Sequence, residues 1–130
     1  MRYIIALILS SSMLMSNHIF WMGNYDKALQ KAREQNKILM VLLIKNNCQK
    51  CKNIVKNFFT NKRYITRLNT AFTSVIVNAD NKHSYPIEMY WTDRYPTLFF
   101  VDPNREIFLC KPIYETLDKK ELENILNMKR

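Results

Sequence analysis

The chain has 130 residues, of which 48% are hydrophobic, with one glycine and four prolines; that is enough apolar material for one ordinary core, and it excludes a disordered or collagen-like chain. Its formal charge is +9, and between Gln35 and Ala79 no acidic residue offsets Lys37, Lys45, Lys50, Lys52, Lys56, Lys62, Arg63 and Arg67. No aromatic-basic repeat or nucleic-acid motif accompanies these residues, so they read as a solvated basic face and not as a nucleic-acid interface.

Residues 1–16 set Arg2 before an apolar stretch from Tyr3 to Leu9, a Ser10-Ser11-Ser12 step and Met13 to Ser16, the layout of a secretory signal peptide, which leaves 17–130 as the folded domain. Small residues at the minus-one and minus-three positions fall at Ser12 and Ser10 but not at Ser16 and Leu14, so an uncleaved N-terminal anchor is the alternative form. A first core strand would need neither the basic start nor the serine step. No cysteine stands close behind the leader to carry a lipid.

Asn24 and Asp26 then offer caps for a helix with Ala28, Leu29 and Ala32 on its apolar side, ended by Asn36 and Lys37. Ile38 to Ile44 is apolar throughout without alternation, which predicts a strand buried on both faces with helices covering each. From Cys48 the period changes to 3.6: Cys51, Ile54, Val55 and Phe58 share one face, and Lys50, Lys52, Asn53, Lys56 and Asn57 the other. A short helix over Asn61 to Leu68 and a strand over Phe72 to Val77 come next, broken by Asn78, Asp80 and Asn81. Ser84 to Trp91 reads as a helix with Pro86 in its first turn, and Thr92-Asp93-Arg94 as a loop. Pro96 opens a strand, Thr97 to Val101, which Asp102-Pro103-Asn104 joins to a strand from Glu106 to Leu109 or Cys110. Asp118 caps a last helix carrying Leu122, Ile125 and Leu126 on one face.

Three cysteines are too few for a stapled secreted scaffold, and the Cys48–Cys51 loop is too short for much entropic stabilisation, so this close pair reads as a working disulfide. Residues three apart on a helix have Cα atoms about 5–6 Å apart, within disulfide range, so the pair can open and close without moving the backbone. At a helix N-terminus Cys48 meets unsatisfied N–H groups and the positive end of the dipole, and the basic stretch around it also favours a thiolate and acidic partners. Cys48 is therefore the expected nucleophile, and Cys51, on the apolar face, the expected resolving thiol. A zinc site needs four ligands and only Cys110, His83 and His18 remain, none in a second paired spacing, so no metal is assigned. Cys110 is expected to be a buried core thiol and His83 an exposed loop residue. Pro96, lacking a ladder N–H, suits the first residue of a strand or a cis turn.

Trp21, the segment Asn24 to Ala28 with Ala32, the Lys37-led strand, the C-x-x-C and the run Tyr95 to Asp102 resemble the thioredoxin-like superfamily, specifically its small exported members, over roughly Trp21 to Leu126. The resemblance implies an α/β thioredoxin fold, a central mixed β-sheet flanked by helices on both faces. It also implies that Pro96 is a cis-proline facing the cysteines, and that Tyr95 and Pro96, with Asn47, Gln49 and Lys50, line a groove where a substrate backbone pairs. The sequence departs from the family where Asn47 replaces the aromatic residue usual before the first cysteine, Leu42 replaces an acidic residue, and Cys110-Lys111-Pro112 and Tyr114 replace glycines. Lys45 or solvent is left to move the Cys51 proton.

The expected function is thiol-disulfide exchange with protein thiols outside the cytoplasm, in a bacterial periplasm, by a monomer without a cofactor. The expected direction is reduction, with a membrane electron donor. A non-catalytic thioredoxin-like binding module holding an acidic partner and a metal-handling protein using the C-x-x-C are the alternatives.

Overall fold

The apolar run Ile38–Ile44 lies in the middle of a mixed sheet in the computed structural model, which describes residues 18–128 apart from the side chain of Phe58. The leader expected over residues 1–16 lies outside the described residues. The elements are β1 (Trp21–Met22), α1 (Tyr25–Gln35), β2 (Ile38–Ile44), α2 (Gln49–Asn53), α3 (Lys62–Ala71), β3 (Phe72–Asn78), β4 (Thr97–Asp102), β5 (Ile107–Phe108), β6 (Ile113–Tyr114) and α4 (Lys119–Leu126). A π-helical turn, Ile54–Phe58, continues α2.

The strand order is β1-β3-β2-β4-β5. Strands β1 and β2 run parallel to β3, and β4 runs antiparallel to β2. The far edge of β4 is shared: β5 pairs with Val101 and Asp102, and β6 with Thr97 and Leu98. Successive side chains of a strand point to opposite faces, so β2 feeds two cores. Leu39, Val41 and Leu43 pack with Val75, Phe99 and the Ala28, Leu29 and Ala32 face of α1. Ile38, Met40 and Leu42 pack with Leu98, Phe100, Ile65, Leu68 and the α4 residues Leu122 and Ile125. Burial on both faces is why the run shows no alternation, and each such side chain contributes about 1.5–3 kcal/mol.

Local chemistry marks the helix ends. Asn24 Oδ1 accepts the Lys27 N–H at 2.9 Å, Asn61 Oδ1 accepts that of Arg63 at 3.1 Å and Asp118 Oδ1 that of Glu121 at 2.7 Å. Each cap is worth about 1 kcal/mol. Asn36 closes α1 in the left-handed region with φ 56°.

Three expectations are corrected. Ser84–Trp91 forms turns and no helix: one Met89 N–H to Pro86 carbonyl bond closes, and Trp91 is 75% exposed. Tyr90 is drawn instead into the α1 core, where its hydroxyl meets that of Tyr25 at 2.7 Å and its ring meets Phe99 and Phe108 edge-on. A segment this short has little helical stability of its own with which to resist that burial. Cys110 is exposed and not a core thiol, because Leu109 beside it takes the inward position and its N–H pairs with the Phe100 carbonyl at 2.9 Å. The α-helix expected to run on from Cys48 gives way after Asn53 to a π turn, in which the Phe59 N–H reaches the Ile54 carbonyl at 3.2 Å and Phe59 is buried edge-on against Trp21.

The buried tyrosine pair yields a stability prediction. Tyr25→Phe or Tyr90→Phe strands the remaining hydroxyl and costs about 1–3 kcal/mol, whereas the double variant costs less than the sum of the two in urea unfolding. Burial raises both phenols above the usual 10.0. Their contribution is therefore fully present below pH 10 and is lost above it, as the unfolded phenols ionise first. The urea midpoint falls above pH 10, less steeply in the double variant. Cys110 lines a surface cavity with Ile113, Ile125 and Met128, and partial burial pushes its pKa up. Thiol titration of the oxidised native protein counts one slowly reacting thiol, and after reduction and denaturation all three cysteines.

Candidate functional site

The loop after β2 is stitched to the end of β3. The Ala79 N–H donates to the Ile44 carbonyl at 2.7 Å, the Asn46 N–H to Asp80 Oδ2 at 2.7 Å, and the Asn78 amide to Asn46 Oδ1 at 2.8 Å. Asp80 closes the network through its own N–H on Asn78 Oδ1 at 2.9 Å. Asn47, with φ 53°, takes the left-handed conformation that turns the chain, one that asparagine tolerates well. This delivers Cys48 to the N-cap of α2, in extended conformation.

Cys48 and Cys51 are joined by a disulfide with their Cα atoms 5.2 Å apart, and Cys48 Sγ accepts the Cys51 N–H at 3.1 Å. Such a donor stabilises a thiolate on Cys48 once the bond opens. Both residues are well covered, 7% exposed at Cys48 and 4% at Cys51, so the expected contrast between an open attacker and a shielded partner is small in the oxidised form. In β2, Leu42 is fully buried between its register partners Ile76 of β3 and Leu98 of β4. The buried charged side chain among the described residues is Asp102, at the opposite end of β4 from Pro96.

The Tyr95–Pro96 peptide bond is cis, and Pro96 is buried just before β4. Tyr95 is half-buried, donates its hydroxyl to the Thr92 carbonyl at 3.2 Å and lies under Lys45 Nζ, 5.1 Å from the ring centroid. The Pro96 carbonyl accepts the Glu115 N–H at 2.7 Å, while the Glu115 carboxylate pairs with Lys50 Nζ at 3.3 Å. Lys45 to Tyr95 on one side, and Lys50 through Glu115 to Pro96 on the other, thus join the cysteine loop to the proline segment. Asn47 and Gln49 are exposed, and the Gln49 amide turns along the helix to Asn53 Oδ1 at 3.0 Å.

Sequence reasoning missed Glu115, which holds φ 64° without being glycine, and the Asn46–Asn78–Asp80 network. The cluster Asn78, Asp80 and Asn81 did mark the end of a strand, but its second role in holding the cysteine loop depends on the β2–β3 register. A cleft of about 600 Å³ opens beside the disulfide and is lined by both cysteines. Among the described residues no three His, Cys, Asp or Glu side chains gather as metal ligands, and no helix is long and apolar enough to cross a membrane. What the arrangement can do chemically is thiol-disulfide exchange: two sulfurs bond within one helical turn, one of them already holding a backbone donor.

A family model described as thioredoxin-like matches residues 20–103. An uncharacterized protein of Borreliella burgdorferi is 28% identical over 116 residues, 82% of this chain and 48% of that protein, so the chain spans about half of that relative's length. Among solved structures, a DsbH oxidoreductase is similar with a TM-score of 0.71 at 12% identity, over 94% of each chain. A thioredoxin from Thermus thermophilus is similar with a TM-score of 0.67 at 18% identity, over 84% of this chain and 85% of that one. At these identities the likeness is one of fold. On the match of its residues 20–103, the chain belongs to the thioredoxin-like family.

Proposed function

We propose that this chain is a thiol-disulfide oxidoreductase that reduces protein disulfides outside the cytoplasm, with Cys48 attacking and Cys51 resolving. The observation that carries the reading is the Cys48–Cys51 disulfide at the start of α2 with the Cys51 N–H on Cys48 Sγ. In the reduced protein the Cys48 thiolate attacks one sulfur of a substrate disulfide, whose S–S bond breaks, and the departing substrate thiolate takes a proton from solvent. Cys51 then gives up its proton, and its thiolate attacks the Cys48 sulfur of the mixed disulfide. The second substrate thiol leaves, and Cys48–Cys51 closes; two electrons have passed from the pair to the substrate.

Tyr95 and Pro96, with Asn47 of the loop before α2 and Gln49 and Lys50 of its first turn, form the surface along which the substrate backbone lies. The proton leaving Cys51 goes to water, since Ile44, Val55 and Ile76, which line the cleft with it, can accept none. The leader-like residues 1–16 support export to a periplasm, and the reducing direction follows the family likeness, with a membrane dithiol donor returning the pair to its reduced form.

Cys48→Ser abolishes reduction of a protein disulfide, whereas Cys51→Ser accumulates a covalent mixed disulfide with the substrate, visible on a non-reducing gel and lost on adding dithiothreitol. Full activity in Cys48→Ser would remove the pair from the chemistry altogether. Equilibration of the Cys48/Cys51 couple against glutathione is expected to give a potential near that of thioredoxin, about −270 mV; a value near about −120 mV would reverse the direction to oxidation.

A further inference from the structure

The disulfide lies between two charged neighbourhoods of different character. On the Pro96 side Lys50 is neutralised by Glu115 at 3.3 Å. The cleft lies on the β3 side, with an apolar floor of Ile44, Val55 and Ile76 and a rim that carries Lys45, Lys52 and Lys56. No carboxylate lines it. The nearby Asp80 is engaged through Oδ2 with the Asn46 N–H. Among the described residues neither Lys52 nor Lys56 is in an ion pair, and Lys45 contacts only the face of the Tyr95 ring.

Three ammonium groups around a recessed apolar floor make a concentrated positive field in the same cleft as the sulfurs. Their ligand carries negative charge, has an apolar part for the floor, and reaches the disulfide. A nucleic acid fits poorly, because no aromatic side chain lines the cleft to stack a base. We propose that the cleft docks an acidic segment of the polypeptide substrate, with Asp or Glu residues flanking the reacting cysteine seated among Lys45, Lys52 and Lys56 and a neighbouring apolar side chain on Ile44, Val55 and Ile76. This rests on the oxidoreductase reading and adds the substrate class to it: the enzyme selects disulfides in acidic surroundings. Cys48 and Cys51 both line the cleft, so a segment bound there stays beside the sulfurs through both steps of exchange.

The test measures single-turnover rate constants of the reduced full-length protein with three disulfides. These are a disulfide-linked peptide dimer with Asp and Glu around its cysteine, the same dimer with Asn and Gln, and uncharged hydroxyethyl disulfide. At low salt the acidic dimer is expected to react about tenfold faster than the neutral one, and the ratio is expected to shrink as salt rises. The ratio of the two peptides cancels any change in the reactivity of Cys48 itself. Lys52→Gln/Lys56→Gln brings it towards one, Lys52→Glu/Lys56→Glu inverts it, and Lys119→Gln/Lys120→Gln on α4 leaves it at the wild-type value.

A wild-type ratio of one, with hydroxyethyl disulfide still reduced, would overturn the docking site and leave the oxidoreductase reading standing. If the α4 variant lowers the ratio as much as the cleft variant, net charge and not the cleft is responsible and the proposal fails. Competition by a single-stranded oligonucleotide as strong as that by an acidic peptide of equal charge would reassign the site to a general polyanion. If none of the three disulfides reacts, the oxidoreductase reading fails and this inference falls with it.

Discussion

Two-sided burial of β2 decides where Cys48 can be, because the side-chain period of a strand is two and a slip by one residue would exchange the contents of the two cores. Leu39, Val41 and Leu43 belong under α1 while Met40 and Leu42 belong under α3 and α4, and that assignment locks the register against β3 and β4. With β2 locked, Ile44 and Asn46 meet Ala79, Asn78 and Asp80, and the short loop they hold can end in only a narrow range of places. Asn47 turns it, and Cys48 becomes the cap of α2. The reactive sulfur is thus placed by a packing constraint some residues away from it.

Features that depend on a local pattern could be read from the sequence. The unbroken apolar run needed only its own length and composition to declare a strand buried on both sides, and Asn24, Asn61 and Asp118 needed only their immediate successors in the chain to declare helix starts. Features set by contact between distant segments could not. The turns over Ser84–Trp91 are decided by Tyr25, sixty-five residues from the Tyr90 it binds. Strands β1 and β6 are two residues each, too short for alternation to reveal, and exist because β3 and β4 offer them an edge. Cys110 looked like a core thiol by residue type, but a neighbouring leucine takes the inward place. The cysteine pair itself was legible, since spacing, preceding strand and following helix are all local; Glu115 was not, because its backbone conformation and its bond to Pro96 arise only after β6 has paired.

Charge is distributed around the disulfide in a way that composition alone conceals. The acid-free stretch from Gln35 to Ala79 is not uniformly bare: Lys50 is neutralised by Glu115, from a part of the chain far beyond that stretch, and Arg67 by Glu123. Exposed pairs of this kind contribute little to stability. On the rim of the cleft, which no carboxylate lines, Lys45, Lys52 and Lys56 keep their charge outside any of these ion pairs. The net charge of the chain is therefore a poor guide to its partners, and the local imbalance beside Cys48 and Cys51 a better one.

The apolar floor of the same cleft bears on how the pair is reset. That floor, Ile44, Val55 and Ile76, solvates a thiolate poorly, and no carboxylate lines the cleft to take the Cys51 proton. Lysines on the rim work in the opposite direction, stabilising negative charge on whichever sulfur carries it. An acidic segment seated among those lysines would cancel part of that stabilisation while bound, lowering the thiolate fraction of Cys51 by more than it raises the nucleophilicity of the thiolate that does form. Once the second substrate thiol leaves, only the charges and the apolar contact with the floor hold the segment. Docking of an acidic segment at the sulfurs would therefore set recognition against resolution: strong charge pairing favours capture of the substrate and disfavours the thiolate that completes the exchange, so a segment bound by a few charges serves both steps better than one bound by many.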